Sequence, residues 1–315
     1  GDKYARYMTP EEYQAQMEAY ESQKASIGVS VVMDPSGYMK VIEVFADSPA
    51  EEAGIEVGDL IVEVEGTMVT ADNYSELSTS MGGEEGSTLN LVVRRDSQDD
   101  DVEIVRRNIE VPMVTWEQYG DVGYIKIKEF HNNTPAQFNT ALKQLTGNGV
   151  KALIFDVRNN PGGYVSELTE ILDFLLPEGD IFIERTVDGE EIVYSSDAAC
   201  VDLPMAVLVN SESYSAAEFL AAQLRESVGA VVAGEQTSGK GYSQVLFDLP
   251  NGSSIGLSTA RYYTGGGVSL IGTGLNPDPA VSLSQEDQEK LLAGTLAPQE
   301  DAQLQAALQA LSGQS

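Results

Sequence analysis

The sequence predicts an α/β protein: a core of mixed β-sheet with flanking helices, carrying an inserted, smaller α+β module. Three observations predict it. Between residues 123 and 233, apolar runs of strand length (123–127, 152–157, 205–209, 230–233) alternate with helical stretches (135–145, 165–176, 216–226), the texture of βαβ units. The runs at 152–157 and 205–209 are continuously apolar, as strands covered on both faces are. From residue 27 to about 112 the texture changes to short strands punctuated by turn residues. The chain has 315 residues, 42% of them hydrophobic, which suffices for two domains with buried cores.

Residues 1–24 read as a short helical lead. Thr9 is an N-cap hydroxyl, Pro10 fills the first helical position, Glu11 and Glu12 favour the positive helix end, and Tyr13, Met17 and Tyr20 recur at helical spacing. The module, residues 25–112, opens with a strand at 27–33 that runs to the turn Asp34-Pro35-Ser36-Gly37, followed by a strand at 40–44. Ser48-Pro49-Ala50-Glu51-Glu52-Ala53-Gly54 has a cap, a proline start, acids and a glycine stop, so it predicts a helix of one or two turns. A strand at 59–64 ends at Glu65-Gly66, and a helix at 74–81 is closed by Gly82-Gly83. Strands at 89–95 and 102–109 flank an expected Asp-rich turn at 98–101. The core, residues 113–284, holds the βαβ elements, with Thr134 expected to cap the first helix. Strands near 244–249 and 254–258 are more antiparallel in character. From Gln285 to 315, polar and Ala/Leu residues alternate as a helical tail, docked or partly disordered. No internal repeat is evident.

Composition removes several function classes. Eighteen basic and 50 acidic residues give a net charge of −32, which repels phosphates and disfavours nucleic acid and anionic lipid as partners. No stretch approaches the roughly 20 apolar residues that a membrane span needs. The chain starts Gly1-Asp2-Lys3 without Met, which reads as trimmed and leaves room for a signal or anchor upstream. Cys200 is the only cysteine, so no internal disulfide forms, and its acidic and apolar neighbourhood marks a structural thiol. No His/Cys/carboxylate spacing suggests a metal. Gly265-Gly266-Gly267 lacks the strand–loop–helix setting of a phosphate loop and reads as a turn.

Chemistry concentrates in two segments. After the 205–209 strand, Asn210-Ser211-Glu212-Ser213-Tyr214-Ser215-Ala216-Ala217-Glu218 turns into a helix. A serine there sits at the carboxyl edge of the sheet, beside free N–H groups of the helix start. Serine is also the commonest N-cap, so this segment alone decides nothing. The second segment, Gly234-Glu235-Gln236-Thr237-Ser238-Gly239-Lys240-Gly241, presents one lysine between glycines. Free lysine titrates near ~10.4; burial disfavours the ammonium and makes it a base for a serine hydroxyl. Ser-Lys pairs are known variants of the catalytic triad. The rival is a Ser-His-Asp triad, but the only histidine, His131, lies in a polar stretch before a helix and is expected in an exposed loop.

Together these segments resemble the carboxyl-terminal processing peptidases, or tail-specific proteases. Their nucleophile precedes a glutamate by three residues, as Ser215 precedes Glu218, and their Gly-Glu-x-Thr-x-Gly-Lys-Gly segment matches 234–241. Arg158-Asn159-Asn160-Pro161-Gly162-Gly163 and Thr259-Ala260-Arg261-Tyr262-Tyr263-Thr264 match two further signatures, and the likeness runs from about Lys3 to Asp278. It departs in two places: the usual Ser-Ala-Ser is Ser213-Tyr214-Ser215, whose bulk could narrow a subsite, and Ala216-Ala217-Glu218 lacks a second serine. The resemblance implies Ser215 as nucleophile, Lys240 as general base and Gln244 as its orienting partner. It also implies an oxyanion hole made from Gly162 or Gly163 together with Ala216.

Residues 25–112 are similar to a bacterial-type PDZ domain. Ser26-Ile27-Gly28-Val29 matches its carboxylate-binding loop, and 48–54 with Gly58-Asp59-Leu60-Ile61 its second signature. Backbone N–H groups of Ile27, Gly28 and Val29 would form a nest for a terminal carboxylate. The peptide would add as a strand beside residues 29–32, walled by the helix at 74–81, with apolar tails favoured. Arg106 and Arg107, just before the exit of the module, are the charged side chains expected to reach the core. The resemblance thus implies a bacterial serine endopeptidase that acts on protein or peptide tails outside the cytoplasm without a cofactor. It leaves open a homo-oligomer, and a membrane anchor in residues outside this sequence. The alternative is a binding scaffold, with the PDZ domain on a catalytically inactive core. Intact Ser215, Lys240 and Gln244 favour the enzyme.

Overall fold

The computed structural model describes residues 2–20 and 23–313, except the side chains of 18–20, 23 and 24. The chain divides into two compact units. One comprises Gly1–Met17, Met113–Leu292 and Leu296–Ser315; the other comprises Glu18–Pro112 and Ala293–Thr295. In chain order the first elements are β1 (Arg6–Met8), α1 (Pro10–Tyr20), β2 (Gln23–Ser26), β3 (Val29–Met33), β4 (Met39–Val44), α2 (Pro49–Glu52), β5 (Leu60–Val64), β6 (Thr67–Met68), α3 (Tyr74–Thr79), β7 (Thr88–Arg95), β8 (Gln98–Val105) and β9 (Arg107–Glu110). The rest are β10 (Val114–Tyr119), β11 (Val122–Ile127), α4 (Thr134–Gly147), β12 (Ala152–Asp156), α5 (Val165–Leu175), β13 (Gly179–Thr186), β14 (Glu191–Ser196), β15 (Met205–Val209), α6 (Ala216–Val228), β16 (Val231–Gly234), β17 (Tyr242–Asp248), β18 (Ser254–Thr264), α7 (Gln285–Leu292) and α8 (Ala302–Ser312).

In the larger unit, β11, β12, β15 and β16 run parallel, and β10 adds antiparallel to β11. Every residue of β12 and β15 is buried, as their unbroken apolar runs require. Because side chains alternate along a strand, Leu153, Phe155, Val207 and Val209 pack with α4, α5 and α6, while Ile154, Ala206 and Leu208 pack with Leu304, Ala307 and Leu311 of α8. The tail is therefore docked. Arg158 adds a polar tie: its guanidinium donates to Asp301 at 2.9 and 2.7 Å, to Gln303 Oε1 at 3.0 Å and to Asp156. A second, antiparallel sheet runs β1-β18-β13-β14, with β17 also on β18. Its Phe182 and Tyr262 rings lie 5.0 and 4.7 Å from Phe219 of α6.

The smaller unit is a six-stranded sheet, β3-β4-β5-β7-β8 with β6 on β5, beside the β2–β9 pair. Its core contains Ile27, Met39, Ile61 and Leu89, all fully buried.

Several expectations need correction. The lead is not purely helical: residues 6–8 pair antiparallel with Ser254–Gly256 of β18, a tertiary contact that three residues cannot signal locally. The Asp-rich run is not a turn. The hairpin turns at Asp96 and Ser97, both at positive φ, and Asp99, Asp100 and Asp101 lie in β8. β8 is an outer strand, where exposed charge discourages further pairing. The expected strand at 102–109 breaks at Arg106, after which β9 pairs with β2. Arg106 is buried and donates to Ser80 O, Met81 O, Thr88 O and Ser87 Oγ. Arg107 pairs with Glu52 and donates to Asp47 O. Both cations are thus taken up inside their own unit. Thr134 is the first residue of α4 and Asn133 its N-cap; the Thr134 hydroxyl instead binds Glu129 O and accepts from His131 N–H. β10, β13 and β14 are further strands: exposed residues blur the alternation of β10 and β14, and β13 buries only the short run Ile181-Phe182-Ile183.

Candidate active site

β12, β15 and β16 end at one edge of the sheet, where parallel sheets place their sites. From β15 the chain makes a tight turn into α6. Asn210 N–H donates to Ser213 Oγ at 3.0 Å, Ser213 Oγ donates to Val157 O at 2.8 Å, and Tyr214 N–H donates to Asn160 O at 3.0 Å. So anchored, Ser215 adopts φ 57°, ψ −118°, a region costly for a residue with a Cβ. Ala216 is the first residue of α6, where an N–H has no intrahelical acceptor.

The loop after β16 brings Lys240 to the same edge. Its anchor is Glu218, which is fully buried. The two carboxyl oxygens of Glu218 accept from Ser215 N–H (2.9 Å), Thr237 Oγ1 (2.6 Å), Ser238 Oγ (3.0 Å), Gly239 N–H (2.7 Å) and Lys240 N–H (3.1 Å). One side chain therefore ties the serine turn to the lysine loop. Glycine is needed at 234, where φ is 132° and a Cβ would stand 1.9 Å from Val209 O.

Lys240 Nζ donates to Gln244 Oε1 at 3.0 Å, and Gln244 Nε2 donates to Tyr4 O at 2.8 Å. Nζ lies 5.0 Å from the Tyr214 ring centroid and 5.6 Å from that of Tyr4. Burial holds the Lys240 ammonium below the ordinary lysine range, and the nearby Arg6 cation adds to this; Glu218 and Asp2 act in the opposite sense. Tyr214 is pushed up to about 12, chiefly by burial. Tyr262 Oη lies 3.2 Å from Ser215 Oγ and 2.9 Å from Lys240 O, one proton facing two acceptors. No hydrogen bond joins Nζ to Ser215 Oγ among the described residues.

The structure thus brings Ser215, Lys240 and Gln244 together. Gly162 is corrected as an oxyanion donor: its N–H already donates to Asn160 Oδ1 at 2.7 Å. Its use is spatial, since a Cβ there would stand 2.9 Å from Ser215 Cβ. Gly163 N–H makes no hydrogen bond among the described residues. His131 is not exposed. Its side chain is 12% accessible and Nε2 lies 2.8 Å from a Glu129 carboxyl oxygen, while Nδ1 is buried without a partner; no hydrogen bond joins it to Ser215. Three functional residues had no assigned role in the sequence reading. Glu218 sits at capping-box spacing after Ser215, a signal that was available. Tyr262 lies inside the 259–264 signature. Tyr4 is 240 positions from Gln244 in sequence, and nothing local marks it.

In the smaller unit, Gly28 has φ 87°, and a Cβ there would stand 2.2 Å from Ser48 Cβ. The loop is therefore closed to any side chain. The Ile27 side chain is buried in the core. Gly28 O accepts from Phe45 N–H at 2.9 Å, and Gly28 N–H faces Ser26 Oγ at 3.4 Å. β3 is the outer strand of its sheet, so the outward backbone groups of Val29 onward have no strand partner. Val29, Val31, Tyr74 and Leu77 line that edge as half-buried apolar side chains. The Tyr74 hydroxyl donates to Val31 O at 2.9 Å.

The model of peptidase family S41 matches residues 121–281 and that of the PDZ domain residues 25–105. A probable CtpA-like serine protease of Staphylococcus epidermidis is 30% identical over 285 residues, covering 89% of this chain and 58% of its own length. A carboxy-terminal-processing protease of Bartonella bacilliformis is 30% identical over 290 residues, covering 89% and 66%. The solved structure of a photosystem II D1 C-terminal processing protease superposes with TM-score 0.57 at 29% identity, covering 96% of this chain and 83% of that one. The chain spans less than two thirds of the length of the two curated relatives. Among the described residues no helix is long and apolar enough to cross a membrane.

Proposed function

The chain belongs to peptidase family S41, and from that premise we propose that it is a serine endopeptidase with Ser215 as nucleophile and Lys240 as general base. The observation that carries this reading is the setting of Lys240. Its amine is withdrawn from water between two tyrosine rings, oriented by Gln244, and held through Glu218 to the turn that bears Ser215. In the reaction, Ser215 Oγ attacks the peptide carbonyl carbon and its proton passes to neutral Nζ. The Gly163 and Ala216 N–H groups receive the oxyanion. Collapse breaks the C–N bond, and Nζ returns the proton to the leaving amine. Water then attacks the acyl-enzyme with the same base, releasing the acid and restoring Ser215.

Substrates are protein or peptide tails with apolar ends. Backbone N–H groups at Ile27, Gly28 and Val29 take the terminal carboxylate, and the tail adds as a strand along β3. Capture on the same chain raises the local concentration of the scissile segment without altering the chemistry. The likeness to carboxy-terminal-processing proteases supports a site of action outside the cytoplasm. Ser215→Ala should abolish both hydrolysis of an apolar-tailed, unstructured protein and labelling by a serine-reactive phosphonate. Hydrolysis surviving in the Ala variant rejects the nucleophile. A wild-type chain that binds tails but neither cleaves nor labels is the scaffold instead.

A further inference from the structure

On the outer face of the antiparallel sheet lies a cavity of about 730 Å³. In a chain with net charge −32, it gathers three cations, Lys3, Arg185 and Arg261, among the rings of Tyr4, Tyr242 and Tyr263. The strand register makes the arrangement specific. Arg261 stands directly opposite Arg185 on β13 and opposite Tyr242 on β17, so the three side chains form one row on one face. Like charges set opposite each other across a ladder destabilise it. Arg185 is relieved by Glu191, with Nε 2.7 Å from the carboxylate, and stacks on Tyr263 at 4.5 Å. Arg261 is exposed, stacks on Tyr242 at 6.0 Å and has no carboxylate partner among the described residues. The acid of the cavity itself, Asp2, is occupied: its oxygens accept from Ser258 N–H (2.7 Å), Ser258 Oγ (2.9 Å) and Tyr4 N–H (3.0 Å).

The cavity adjoins the catalytic centre. The Tyr4 ring that contacts Lys240 Nζ at 5.6 Å also lies 5.7 Å from the Tyr242 ring, which carries Arg261 at 6.0 Å. About five residues of extended peptide cover that path. We propose that the cavity is a substrate subsite for a carboxylate-bearing side chain within about five residues of the scissile bond. Arg261 is its principal ligand, and the tyrosines are its apolar walls. The guanidinium fork matches a carboxylate bidentately, and the rings hold the methylene stem of glutamate. The inference rests on the peptidase reading, because the subsite is defined by its distance from the reacting bond.

The test uses internally quenched peptides, amidated at the C-terminus so that only side-chain carboxylates are present, with Glu or Gln at each of five positions on either side of the cleaved bond. We expect one or two positions at which Glu raises kcat/KM about tenfold. Arg261→Gln should erase that preference, so that the variant turns over its Glu and Gln peptides alike, and Arg261→Glu should transfer it to a Lys peptide. Equal turnover of Glu and Gln peptides at all positions overturns the proposal, as does a preference that survives Arg261→Gln. Fluorescence anisotropy of the same peptides on Ser215→Ala protein reads the subsite without catalysis. A Glu-over-Gln preference in binding that Arg261 carries, when the wild-type chain cleaves neither peptide, keeps the carboxylate site and rejects the peptidase; no such preference rejects the subsite. If only free-acid product peptides bind better through Arg261, the cavity takes terminal carboxylates and the side-chain proposal fails.

Discussion

A lysine in water is a poor base at neutral pH, and the surroundings of Lys240 change that. Burial and the Arg6 cation disfavour the ammonium, while Glu218 and Asp2 favour it. If neutral Nζ is the reacting form, kcat/KM rises with pH through one ionisation whose midpoint lies below that of free lysine. The sign of each perturbation follows. Arg6→Gln removes a cation, raises the pKa and moves the pH profile alkaline; Asp2→Asn removes an anion and moves it acid. A profile that neither variant shifts rejects Lys240 as the titrating base. Lys240→Arg keeps the charge but cannot serve as a base, so it should be as inactive as Lys240→Ala, whereas His131→Ala should keep near-full activity. Tyr262→Phe removes the hydroxyl beside Ser215 Oγ, and we expect a fall in kcat with KM little changed. Ser215 and Lys240 are legible in the sequence because each lies in a short segment whose own turn presents it, whereas Gln244, within β17, follows only from the family resemblance. Tyr4 is not legible, because β1 reaches the site only through pairing with β18.

At the level of elements, α8 is a strut rather than an appendage. Asp301 caps it, accepting from Gln303 N–H at 3.1 Å and Leu304 N–H at 3.0 Å, and also receives buried Arg158. Arg158 lies two residues beyond the end of β12, in the segment that leads to Gly162 and Gly163. Asp301→Ala would leave a buried guanidinium half paired and remove the cap. The expected loss is roughly 3–5 kcal/mol, read as a lower urea midpoint for the larger unit. A change under ~1 kcal/mol would show that the tie is solvated and of little weight. The buried strands β12, β15 and β16 were legible because covering on both faces leaves no room for polar residues. The hairpin β13–β14 was not, since one face meets solvent and carries charges such as Arg185 and Glu191. The acidic strand β8 misleads for a related reason: an outer strand is chosen by its partner β7, and its own residues advertise a turn.

For the molecule as a whole, the proposed tail capture has two distinguishable consequences: it tethers the substrate only, or it also switches the site. Nζ and Oγ share no hydrogen bond here, with Tyr262 beside the serine and Gln244 on the lysine, so that bond has still to form when substrate binds. The bulk of the smaller unit, residues 27–106, can be excised between its first and last strands. β2 and β9 pair with Ser26 opposite Arg107, so its entry and exit lie side by side. Replacing residues 27–106 with Asn-Gly should leave that pair as a hairpin. Saturating concentrations of a short peptide then separate the cases. A pure tether predicts an unchanged kcat with poor capture of long, apolar-tailed proteins, because local concentration is all that was lost. A switch that tail binding turns on predicts a kcat well below that of the intact enzyme, which excess peptide cannot restore. A unit that restrains the site predicts a kcat above it. We expect a changed kcat, because the unjoined dyad leaves a step for tail binding to drive. Equal kcat in the two proteins would mean that peptide alone closes the dyad and that the smaller unit does nothing but hold the tail.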